Sequence, residues 1–145
     1  MMIRDFDYYL AHNLAKRSET SPPAAKAMIA KAELRLKRLN AEEIKDEMAS
    51  IMFEEAYEAM REASQAIMQL KGFKPYSHEA LIAFIVKENL FSEQFPKSLD
   101  RYRILRNRSV YEAQKISMET LKEALEFART YIPEVKKTLS RLILP

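Results

Sequence analysis

Residues 44 to 72 read IKDEMASIMFEEAYEAMREASQAIMQLKG. Ile44, Met48, Ile51, Met52, Ala56, Ala59, Met60, Ala63, Ala66, Ile67 and Leu70 recur every three or four positions, which places them on one side of an α-helix. The small Ala and adaptable Met side chains on that side predict close packing against other helices. Lys71-Gly72 ends the pattern, the chain's single glycine supplying a left-handed C-cap. At the other end, Asn40 and Glu43 have the spacing of a capping box, so the helix is expected to begin there and to run for about 30 residues, the longest element of the fold.

The neighbouring segments carry the same signal. Upstream, Ser21 is positioned as an N-cap and Pro22 as the first helical residue, opening a helix to about Leu39 with Ala25, Met28, Ile29, Ala32, Leu36 and Leu39 inward. Before it, Ile3, Phe6, Tyr9, Leu10 and Leu14 predict a short amphipathic helix over residues 3 to 17. Downstream, Lys74-Pro75-Tyr76 reads as a loop, and Ser77 caps a helix from about His78 to Glu88. Asn89 to Pro96 read as an irregular connection before a basic helix over Lys97 to Ile116. Ser117 caps a last helix that carries Leu121, Ala124, Leu125, Ala128, Ile132, Val135, Leu139 and Leu142 on one face, with Pro133 expected to kink it. Short connections between such helices predict an all-α, antiparallel up-and-down helical bundle of four to five main helices plus the short N-terminal helix, as a single domain over residues 1–145.

Composition supports this. Of 145 residues, 48% are hydrophobic and 31% charged, with one Gly and eight Met, a makeup that favours long helices over tight turns. The absence of Cys removes disulfides, thiolate nucleophiles and thiolate metal sites, and fits a reducing cytoplasm. No apolar run approaches the ~20 residues of a membrane span, and Arg4, Asp5 and Asp7 come too early for a secretory signal, so no membrane association is expected. One glycine cannot form a phosphate-cradling nucleotide loop. His12 and His78 are too far apart in sequence to suggest a metal pair, and neither belongs to a serine hydrolase motif. Neither cofactor nor metal is expected.

Positive charge concentrates in Lys97–Ile116, KSLDRYRILRNRSVYEAQKI, where six cations face two carboxylates, an excess of four against +3 for the whole chain. Clustered charge, rather than average charge, is what binds phosphate. On a helix, Leu99, Tyr102, Leu105, Ala113 and Ile116 form an apolar arc that includes Arg106. Arg103, Asn107, Val110 and Tyr111 form the adjoining stripe. A buried arginine requires acceptors or a partner charge, so Arg106 is expected either to pair with a Glu of a neighbouring helix or a second copy, or to line a ligand site. The candidate binding residues are therefore Arg103, Arg106, Asn107, Arg108 and Tyr111.

The segment ASIMFEEAYEAMREASQAIMQLKGFKPYSHEALIAFI resembles the HEPN domain signature, in which an Ala- and Tyr-rich helix ends in a Lys-Gly turn and is followed by a Thr/Ser-His pair and another helix. Arg106-Asn107-Arg108-Ser109-Val110-Tyr111 is similar to the family's Arg-Asn motif, an Arg followed after four to six residues by a His. In order and spacing the resemblance extends over roughly Ala24 to Leu142. It implies a helical bundle that forms a homodimer, with the motif helices of two copies lining one cleft, and a nucleotidyltransferase-type partner in a toxin–antitoxin-like or regulatory system. It implies RNA or nucleotide as ligand, with Arg106 on the phosphate. The histidine position is occupied by Tyr111, whose phenol, with an ordinary pKa near 10, is a poorer base at neutral pH than an imidazole. Binding is thus the first expectation. A metal-independent endoribonuclease using Arg106 and Tyr111 as catalytic residues, or a structural helical module, is the alternative.

Overall fold

In the computed structural model, which describes residues 3–143, the long periodic segment forms α3 (Ala49–Lys71), the helix against which most of the molecule is built. Its buried residues lie all around the helix except along a stripe of Ile51, Glu54, Glu58, Arg61 and Gln65. A helix enclosed this far needs small side chains where backbones approach. Ala56, Ala59, Ala63 and Ala66 supply them, each wholly buried.

α2 (Pro22–Ala41) packs along α3, its Ser21 Oγ accepting from the Ala24 N–H at 3.2 Å as the N-cap. α4 (His78–Glu88) begins at Ser77, whose Oγ accepts from Ala80 N at 3.0 Å. α6 (Met118–Ile143) begins after Ser117, whose Oγ accepts from Thr120 N at 3.1 Å. Its Leu121, Leu125, Ile132, Val135 and Leu139 enter the core, each contributing ~1.5–3 kcal/mol. Ser64 Oγ and the buried Tyr131 hydroxyl, 2.6 Å apart, fasten α6 to α3. Leu142, expected inward, is exposed at the end of α6, and α6 continues through Pro133.

The fold is all-α, with one small exception and several shifted boundaries. The first helix is short: α1 covers Phe6–Ala11 and stops where Asn13 turns left-handed at φ 58°. The chain then forms β1 (Ala15–Arg17), which pairs antiparallel with β2 (Phe73–Pro75), in register Ala15 with Pro75 and Arg17 with Phe73. The segment expected as a loop is therefore a strand that ties the N-terminal region to the α3–α4 turn. Gly72, at φ 85°, permits that turn, and a Cβ there would meet the Ser18 carbonyl at 3.0 Å.

The capping box at Asn40 does not form. Asn40 lies inside α2, and its Oδ1 accepts from Arg129 Nε of α6 at 2.8 Å, so a tertiary partner takes the side chain that would have capped. A 3-10 turn over Asp46–Met48 leads into α3, and α6, not α3, is the longest helix. The basic helix is α5 (Gln94–Glu112), starting within the stretch expected to be irregular. It ends at Ala113, left-handed at φ 50° and exposed. Ile116 is buried from the following connector instead, where its N–H donates to Ser50 Oγ at 3.0 Å. No helix among the described residues is long and apolar enough to cross a membrane.

Candidate functional site

α5 is held by its first half and its last turn. Leu99 and Tyr102 are buried, the Tyr102 ring meeting Phe53 of α3 edge-on at 6.0 Å, while Ser109 Oγ donates to Glu54 Oε2 at 2.7 Å. These anchors bring the stripe containing Arg103, Arg106 and Asn107 beside the polar stripe of α3 and the first turn of α4.

Most of the α5 cations are neutralised. Lys97 pairs with Glu93 at 3.0 Å and Arg101 with Glu123 at 3.1 Å, and in the connector after α5 Lys115 pairs with Asp46 at 2.6 Å. Arg103, well covered, has Asp100 at 2.8 Å and Glu79 of α4 at 3.6 Å. Arg106 and Arg108 have no carboxylate partner among the described residues. Arg106 is half-buried. Its Nη1 donates to Asn107 Oδ1 at 3.3 Å, and its guanidinium carbon sits 5.7 Å from the centre of the Tyr111 ring. The half-buried cation thus has an amide and an aromatic ring for neighbours, and of the expected outcomes the ion pair with a Glu of a neighbouring helix does not form.

The five candidate binding residues do not share one surface. Arg108 lies on another side of α5, lining a shallow groove with Lys97, Asp100, Arg101, Ile104 and Leu105. Tyr111 is 74% exposed and Val110 42%. Arg103 acts as a structural cation, Arg106 as a free one, and Tyr111 stands in solvent at the helix end.

Two residues outside the predicted set belong to this site. Tyr57, buried on α3, has its hydroxyl 3.0 Å from Nδ1 of His78 at the start of α4, with the rings stacked at 5.6 Å. Burial pushes the Tyr57 phenol well up, against the lowering influence of Arg103, Arg106 and Arg61. Burial also lowers the His78 imidazole below its ordinary value, aided by Arg106, Arg61 and Arg103 and opposed by Glu58. A neutral buried phenol must give its proton to an acceptor, and Nδ1 is its partner among the described residues.

Arg61 completes the cluster. It donates to Glu58 at 3.0 Å and to Gln65 at 2.5 Å, and the Glu58 carboxyl is held below the usual range chiefly by that bond. The signal that could have led to Tyr57 in the sequence is its place on the apolar face beside Phe53: a phenol directed inward requires a partner. The site offers N–H donors and, in Arg106, a guanidinium without a carboxylate partner among the described residues, a group that can meet phosphate. No group of three His, Asp or Glu side chains among the described residues is placed to hold a metal. The chain matches no family model, and no curated protein matches it significantly.

Proposed function

We propose that this chain is a HEPN-like homodimeric helical protein that binds RNA or a nucleotide through phosphate, on the face where α3, α4 and α5 meet. The observation that carries this reading is Arg106: a half-buried guanidinium without a carboxylate, whose field falls on the neutral His78–Tyr57 pair. An arriving phosphate would supply the missing counter-charge through charge-assisted hydrogen bonds. Binding is favoured over cleavage because His78 Nδ1 is engaged by the buried Tyr57 hydroxyl, and Tyr111 offers only a phenol. Self-association is supported by exposed apolar residues on neighbouring turns: Ile51, 58% exposed, lies one turn before Glu54, and Val110 follows the Ser109 to which Glu54 is bonded. A nucleotidyltransferase-type partner, in a toxin–antitoxin-like or regulatory system, rests on the family resemblance.

Fluorescence anisotropy with a labelled single-stranded RNA, measured from low to high salt, tests the ligand. Binding that weakens steeply with salt and is reduced in Arg106→Ala is expected. Light scattering at micromolar concentration tests the assembly, with a mass of twice 17.0 kDa expected. Absence of RNA binding at low salt together with a strictly monomeric mass would remove the reading.

A further inference from the structure

The position of Tyr111 calls for an explanation that general-base chemistry does not give. At the last turn of α5, next to the exposed Val110, it is 74% exposed, the most of any described tyrosine: Tyr76 is 51% exposed, Tyr8 is half-buried, and Tyr9, Tyr57, Tyr102 and Tyr131 are buried. The Arg106 guanidinium lies over one face of the ring, 5.7 Å from its centre, and is tethered by Asn107, so the cation stands on one side of the ring and the opposite face is the one a base would meet. Just beyond, the left-handed Ala113 turns the chain out of the helix.

We infer that Tyr111 is a stacking platform for an unpaired nucleobase whose adjoining phosphate is held by Arg106. The inference rests on the phosphate-binding reading above and specifies its ligand. Single-stranded nucleic-acid sites combine a backbone-tracking cation with an exposed ring, because every base has a π-face. In a duplex both faces of a base are already stacked, so a paired base cannot use the ring. The ligand is therefore a single strand or a free nucleotide, and duplex RNA is discriminated against. The phenol hydroxyl has no part in the interaction; the ring carries it.

The chain contains no tryptophan, so Tyr111→Trp introduces its only indole. We would titrate this variant with single-stranded oligouridylate, an abasic strand of the same length, a duplex RNA and uridine monophosphate, following indole emission and anisotropy together. Quenching by oligouridylate that saturates with binding is expected, with neither abasic strand nor duplex quenching. Quenching by the mononucleotide at similar concentration would identify a free nucleotide as sufficient; its absence would identify the strand. In unlabelled protein, Tyr111→Ala should weaken oligouridylate binding about 5–100-fold, and Tyr111→Phe should restore most of it. Matching melting temperatures would show that these surface variants fold alike.

RNA binding with unchanged indole emission and an unaffected Tyr111→Ala protein would overturn the stacking role while leaving phosphate binding in place. No binding of any RNA by the unsubstituted protein would remove both. Emission that follows protein concentration and ignores RNA would assign Tyr111 to an interface between copies and likewise overturn the inference.

Discussion

α2 and α5 are both rich in cations, yet their charges are used differently. On α2, Arg35 binds Glu62 and reaches Glu55 at 3.9 Å, Arg38 binds Glu55, and Lys31 lies 3.3 Å from Glu62. Glu62 is buried, so these cations are the counter-charges that allow a carboxylate to enter the α2–α3 seam. On α5, Arg103 is matched in the same way by Asp100, itself buried, and by Glu79, whereas Arg106 is left with Asn107 and a ring. Positive charge does not mark a ligand site. The proposed site rests instead on a covered positive charge without a carboxylate partner among the described residues.

The largest effect expected from breaking this contrast is on stability. Arg35→Ala leaves Glu62 buried with only Lys31, and should destabilise the bundle by about 3 kcal/mol while leaving RNA affinity within about twofold. Arg106→Ala should do the reverse, costing about 1–3 kcal/mol of RNA binding with a stability change within about 0.5 kcal/mol. Chemical denaturation and anisotropy on both variants measure the two quantities. Equal stability losses would erase the distinction and make Arg106 a structural residue.

The sequence carried more of the fold than of the site, for a physical reason. Caps are local, and Ser21, Ser77, Ser117 and Gly72 each perform the role their spacing assigns. The capping box at Asn40 failed because α2 runs on through Asn40 to Ala41 and α3 begins only at Ala49, and the Asn40 side chain meets Arg129, 89 residues away. β1 and β2 are three residues each, too short for alternation to be visible. Within the site, the α5 stripe was legible from helical spacing, but spacing does not reveal which of its arginines meet carboxylates. The Tyr57–His78 bond joins residues 21 apart on two helices and exists only through their packing.

A smaller effect should appear in the titration of His78. Its imidazole is lowered in the fold from the ordinary 6.5, first by burial and then by Arg106 and Arg61. As pH falls below that ordinary value the unfolded chain takes up the proton first, so stability that is fully present above it is lost as pH approaches the folded-state value. Arg106→Ala removes one opposing cation and should move the His78 titration upward. Bound phosphate should move it the same way, so that RNA binding strengthens as pH falls through the window. NMR titration of the His78 ring protons follows each case, and an identical midpoint in Arg106→Ala would separate Arg106 from the His78–Tyr57 pair.

The smallest effect concerns which face of α5 the RNA follows. Each phosphate neutralised by a single strand contributes about 0.7 to the log–log slope of affinity against salt. Arg106→Ala should lower the slope by about that amount. Arg103→Ala should change it less, because Asp100 and Glu79 already neutralise Arg103, and its cost should appear in the melting temperature instead. Arg108 has no carboxylate partner among the described residues, yet it lines the groove with Lys97 and Arg101, on another side of the helix from Arg106. If free charge alone directed binding, Arg108→Ala would match Arg106→Ala. If the His78–Tyr57 face directs it, Arg108→Ala should leave the slope unchanged. Equal losses at Arg106 and Arg108 would mean that the strand wraps α5, and the contrast between its two sides would no longer define the site.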